Sequence, residues 1–64
     1  MTRREIMDLV LRMHAAGLSV RVKHQHDSEG IYPCLFLGTR VIGHPEHVTE
    51  FGGKFYWHGQ EIAS

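Results

Sequence analysis

The chain has 64 residues, in which seven Lys or Arg residues balance seven Asp or Glu residues. This length gives room for one small domain over residues 1–64. No apolar run approaches the ~18 residues of a membrane span, and no secretion signal is evident, so we expect no membrane partner. The zero net charge argues against a dedicated polyanion binder. The single Cys cannot close an intramolecular disulfide, which favours the reducing cytoplasm.

The N-terminal segment predicts an amphipathic helix. Thr2 and Glu5 have the spacing of a capping box, in which each side chain binds the backbone N–H of the other residue. Apolar residues then recur at helical spacing, as Ile6, Leu9, Val10 and Met13. Gly17 is well placed to end the helix in a left-handed conformation.

The rest of the chain predicts short antiparallel strands joined by tight turns. Residues 18–26 alternate in polarity, and the apolar run 31–37 predicts a central strand. Residues 27–30 form a polar turn cluster, two-residue turns are expected at 38–39 and 52–53, and a last tight turn is expected over 57–60. At 38–39 we predict a type II′ turn, with Phe36 opposite Val41 and Leu35 opposite Ile42.

The segment before Gly52 has two interpretations. Pro45 suits the first turn of a short helix over Pro45–Phe51, whereas Gly52-Gly53 favours a strand that enters a hairpin. We favour the strand. The predicted fold class is α+β, with one N-terminal helix packed on an antiparallel meander of four to five short strands.

The helix carries more apolar surface than one sheet contact requires. At about 100° per residue its apolar side chains and His14 span an arc of roughly 200°, whereas packing on a sheet needs little more than about 100°. Met7 and Leu11 are the surplus residues. We therefore predict a protein-binding surface on this helix, made of Arg4, Met7, Asp8, Leu11 and His14.

The central strand also has apolar side chains on both faces. Cys34 and Phe36 point to one side, and Leu35 and Leu37 point to the other. One helix covers one face only. Either the segment 43–53 covers the second face, or the surplus is ordinary exposed surface, or another protein molecule covers it. We favour the last interpretation, with a second copy of the chain or a different protein as the partner.

Nucleic-acid binding is the alternative function. Basic residues that could contact phosphates and tyrosines that could stack on bases lie along the predicted strands and turns. They are Arg21, Lys23, Tyr32, Arg40, Lys54 and Tyr56. Acidic residues are spread along the same segments, which makes an ordinary solvated face the simpler interpretation.

Six histidines is a high count for this length. His24 and His26 would share one face of a strand, and neutral imidazole is a common metal ligand. A weak metal-binding alternative therefore rests on these two residues. Any interface that contains histidines should change between pH 7 and pH 5, where histidine gains its proton.

Catalytic patterns are missing from the sequence. Cys34 lies in an apolar run, which suits a small core residue better than a nucleophile. No phosphate-binding glycine motif or Ser/His/Asp set is recognisable. We expect no enzyme activity and no cofactor. The predicted function is a small interaction module, namely a homodimeric or partner-binding regulator or inhibitor such as a phage accessory protein.

Overall fold

The computed structural model describes residues 1–63, and it begins with one helix. Helix α1 spans Arg3–Ala15. The Glu5 backbone N–H donates to Thr2 Oγ1 at 3.2 Å, and the Thr2 backbone N–H donates to the Glu5 carboxylate at 2.8 Å. At the other end Gly17 has a φ of +87°, and the N–H groups of Gly17 and Leu18 donate to carbonyls of the last helical turn. The predicted capping box and glycine terminus are confirmed.

The first sheet contains three antiparallel strands in the order β1-β2-β3. Strand β1 spans Val20–Asp27, β2 spans Gly30–Leu37 and β3 spans Arg40–Gly43. Residues 28–29 form the turn between β1 and β2, and the Glu29 N–H donates to the Asp27 carboxylate at 2.7 Å. The first two strands have eight residues each and form a long ribbon.

The turn between β2 and β3 agrees with the predicted type II′ geometry. Gly38 has a φ of +65°, while Thr39 stays outside the left-handed region. Phe36 lies opposite Val41, as predicted. The predicted pairing of Leu35 with Ile42 is wrong, because a bulge shifts the register and places Leu35 opposite Gly43.

A second antiparallel sheet follows, with the order β4-β5-β6. Strand β4 spans Val48–Phe51, β5 spans Lys54–Trp57 and β6 spans Gln60–Glu61. Both turns have two successive left-handed residues, at Gly52-Gly53 and at His58-Gly59. This pattern is that of type I′ hairpins, whose twist matches the twist of the strands.

The fold class is α+β, with six short strands in two sheets where we predicted one meander of four to five. The chain leaves the first sheet after β3 because the bulge and a 3-10 turn at Pro45–His47 interrupt the ladder. Both interpretations of residues 45–51 describe part of the segment, since β4 follows this turn directly.

The core lies between the helix, one face of the first sheet and the inner face of the second sheet. Met13 and Leu35 have no exposed surface, and Phe55 retains 1%. The remaining buried members of this cluster are Leu9, Val10, Leu18, Val20 and Ile62. At its edge, the Arg12 guanidinium lies 3.2 Å from the Glu50 carboxylate and links the helix to β4.

The second face of the first sheet contributes nothing to this core cluster. Cys34 lies on that face and is a buried free thiol, as expected for a small structural residue. Lys23 places its ammonium 5.3 Å from the Phe36 ring centroid on the same face. Val41 beside Phe36 is 59% exposed.

Candidate protein-binding surface

Met7 and Leu11 lie on a side of α1 that does not face the core, and each is 57% exposed. His14 follows them at helical spacing on the same side, and its Nε2 lies 2.8 Å from the Val20 carbonyl oxygen. We call Met7, Leu11 and His14 the helix stripe. Because Val20 is the first residue of β1, this contact places the helix stripe beside the outer side of that strand.

Strand β1 is an edge strand of the first sheet. Its turn to β2 has two residues, so Asp27 and Gly30 form a hydrogen-bonded pair. Hydrogen-bonded and non-hydrogen-bonded pairs alternate in antiparallel sheets, so the backbone groups of Val20, Val22, His24 and His26 point away from β2. Val20 is satisfied locally, because its N–H donates to the Leu18 carbonyl and its carbonyl meets His14.

The backbone groups of Val22, His24 and His26 have no such local partner within residues 1–63. We call these three residues the open edge. His24 and His26 have exposed side chains, and Val22 is half-buried. An unpaired edge of this length offers donors and acceptors to another extended chain.

A groove joins the helix stripe to the open edge. Its volume is about 550 Å³. The groove is lined mostly by apolar side chains, namely Ile6, Met7, Val10, Val22 and Pro33, with Arg3 and His24 at its rim. Since Met7, Val22 and His24 all line this groove, the groove connects the Met7 end of the helix stripe to the open edge.

The other predicted members of the protein-binding surface are exposed on the helix. Arg4 and Asp8 lie one turn apart on α1, and neither takes part in a salt bridge among the described residues. The five predicted residues therefore belong to one helix surface. The open edge of β1 was missed, because a sequence does not state which strand lies at the edge of a sheet.

The residues of the nucleic-acid alternative are distributed over several surfaces. Arg21, Lys23 and Tyr32 share one face of the first sheet, and Arg40 lies on its opposite face. Lys54 and Tyr56 lie on the second sheet. All four cations have contacts within the chain. Arg21 donates to the Gly38 carbonyl, and Arg40 donates to the Ala63 carbonyl. Lys54 lies 4.0 Å from the Glu61 carboxylate, and Lys23 lies over the Phe36 ring.

His24 and His26 share a face of β1, as predicted. Residues 1–63 contain no group of three His, Cys, Asp or Glu side chains arranged to hold a metal ion. The structure therefore brings no third ligand of these types to the histidine pair.

An aromatic cluster that the sequence did not predict lies at the junction of the two sheets. The rings of Tyr32 and His44 stack with centroids 4.5 Å apart, and those of His47 and His58 lie 4.4 Å apart. The Trp57 indole N–H donates to the His44 carbonyl at 3.0 Å. These contacts hold the segment 44–47 against β2 and the second sheet.

Comparison with protein-family models, with curated proteins and with solved structures finds no match to this chain. No helix within residues 1–63 has the length and hydropathy of a membrane-crossing segment.

Proposed function

We propose that this protein is a small non-enzymatic interaction module that binds protein through the helix stripe and the adjoining open edge. The observation that carries the proposal is the exposure of Met7 and Leu11, at 57% each, beside unpaired strand backbone. Apolar anchors next to free hydrogen-bonding groups are the two components that strand addition to a sheet requires.

The chemistry of the groove supports a protein partner over a small ligand. Its lining is apolar, with only Arg3 and His24 as polar groups at the rim. Methionine adapts its shape to an apposed surface, which suits a binding site built on a helix. A regulator or inhibitor of this size would act by covering a surface of its partner, or it would act as a homodimer.

Leu11→Asp tests the proposal. A carboxylate placed in an apolar interface loses its hydration, so we expect the dissociation constant of any complex to rise at least about 100-fold. Because Leu11 is 57% exposed, we expect the free energy of unfolding to change by no more than about 0.5 kcal/mol. The measurements are molar mass by light scattering across concentration and urea unfolding of each variant.

Phe51→Asp is the matched control, since Phe51 is 78% exposed and lies on β4, outside the helix stripe. It should leave association unchanged. Two results together overturn the proposal. The wild-type chain stays monomeric at every concentration, and every cellular protein that binds immobilised wild type binds Leu11→Asp equally well. Retention on nucleic acid with a steep salt dependence, lost in Arg21→Glu and Lys23→Glu, would favour the alternative function instead.

A further inference from the structure

We infer that the open edge binds a second copy of this chain, with the two β1 strands antiparallel and His24 opposite His24 of the partner subunit. This inference rests on the proposed function, because it names the partner of the same surface. The first sheet of one copy and the first sheet of the other then form one continuous six-stranded sheet across a two-fold axis.

This register satisfies the free backbone N–H and C=O groups of the open edge in both copies. With His24 at the two-fold axis, Val22 of each copy lies opposite the partner's His26. The three open-edge residues of each copy thus form three hydrogen-bonded pairs, and no free group among them is left over. Val20 falls outside the paired region, which agrees with its bonds to Leu18 and His14.

The charges that lie opposite each other also favour this register. With His24 at the axis, Arg21 lies directly opposite the partner's Asp27, and this pair occurs twice. Centring the axis on Val22 places Arg21 opposite the partner's Lys23, and centring it on Lys23 places two lysines opposite each other. Like charges directly opposite destabilise a strand pair, whereas opposite charges stabilise it. The His24 register is therefore favoured over both of these.

A register centred on Gln25 is also free of like-charge pairs within the strand, since Lys23 would lie opposite the partner's Asp27. It pairs Val22 with Ser28 of the turn, however, and so leaves an open-edge residue without a strand partner. The His24 register pairs residues 21–27 of both copies, which is a longer ladder.

The position of Met7 agrees with the same register. Met7 and His24 line the same groove, so a two-fold axis through His24 brings the Met7 side chains of both copies toward each other. Each Met7 side chain, which is 57% exposed in the single chain, then contributes apolar surface to the contact between the two copies.

Complementary charge reversal tests both the partner and the register. Arg21→Glu alone and Asp27→Lys alone each create two like-charge pairs, so each variant should dimerise at least about tenfold more weakly than wild type. An equimolar mixture of the two variants restores opposite charges at both pairs. We expect the mixture to form a heterodimer with close to wild-type affinity, measured by analytical ultracentrifugation with one variant fluorescently labelled.

Glu29→Lys is the matched control for Asp27→Lys, because it makes the same charge change in the same turn. Glu29 lies outside the His24 register but opposite Arg21 in the Gln25 register. No effect of Glu29→Lys, together with restoration in the mixture, supports the proposal. Weakening by Glu29→Lys without restoration in the mixture overturns the register. Circular dichroism checks that every variant is folded.

His24→Pro tests the edge without disturbing the monomer's own ladder. Its N–H points away from β2, and the opposite residue in the ribbon is already Pro33. Dimerisation should be lost with the fold retained. A monomeric wild-type chain that binds another protein through Leu11 would overturn this inference and leave the proposed function standing. If dimerisation depends on Leu11 but survives His24→Pro, the helix stripe is the interface and edge pairing is wrong.

Discussion

The two long edges of the β1–β2 ribbon differ in how they are covered. Along β2, the pairing with β3 ends at Leu35 opposite Gly43, directly after the bulge, Pro33 removes an outward N–H, and the ring of His44 stacks on Tyr32. Along β1, residues 22–26 have no comparable cover within residues 1–63. Proteins use such features to prevent an edge strand from pairing with another chain. The contrast therefore indicates that β1 is the edge available for pairing.

Gly43, the last residue of β3, lies in close contact with the Trp57 indole ring beside the covered β2 edge. Gly43→Ala should disrupt this contact. An added Cβ would overlap the indole ring, and the φ of +135° is unfavourable for any L residue. We expect a loss of about 2–4 kcal/mol in the free energy of unfolding, measured by urea titration. Faster amide exchange at His44, Glu46 and His47 should accompany it.

Gly53→Ala separates the two causes of that loss. Gly53 also has a left-handed φ, of +78°, but open space surrounds its Cβ position. Its substitution should therefore cost only the conformational strain, about 1–2 kcal/mol. Equal losses for the two variants would show that the indole contact is unimportant.

The smallest expected effect lies in the helix cap, away from both edges. The hydrogen bond from the Thr2 backbone N–H, followed by that involving the Thr2 side chain, lowers the pKa of Glu5 below its usual value of 4.5. Because the folded-state pKa is depressed, the capping stabilisation is present above about pH 4.5 and is lost as the pH falls through the folded-state pKa. Glu5→Gln should reduce this acid dependence of the thermal midpoint while leaving dimerisation unchanged.

Local features were predictable because their causes are local. The capping box needs only Thr2 and Glu5, and the turns at 38–39 and 52–53 need only glycine at positions of positive φ. The alternation in residues 18–26 and the exposure of Met7 and Leu11 followed from helix and strand periodicity in the same way.

Features that depend on distant residues were not predictable. The bulge opposite Leu35 moved the register of β3, and the separation into two sheets followed from that interruption. The aromatic cluster joins Tyr32 to residues 44–58, which no spacing rule connects. The open edge is likewise a property of strand order, and Pro33 did not reveal it, because its missing N–H faces the β3 side of β2 and not β1.

The shortness of β3 limits how far the inferred association could proceed. In the inferred dimer, the outermost strands of the joined sheet would be the two β3 strands, each of only four residues. So short an edge is a poor template for further strand addition. An association through β1 would therefore close with point symmetry at two subunits and would not propagate into a fibre.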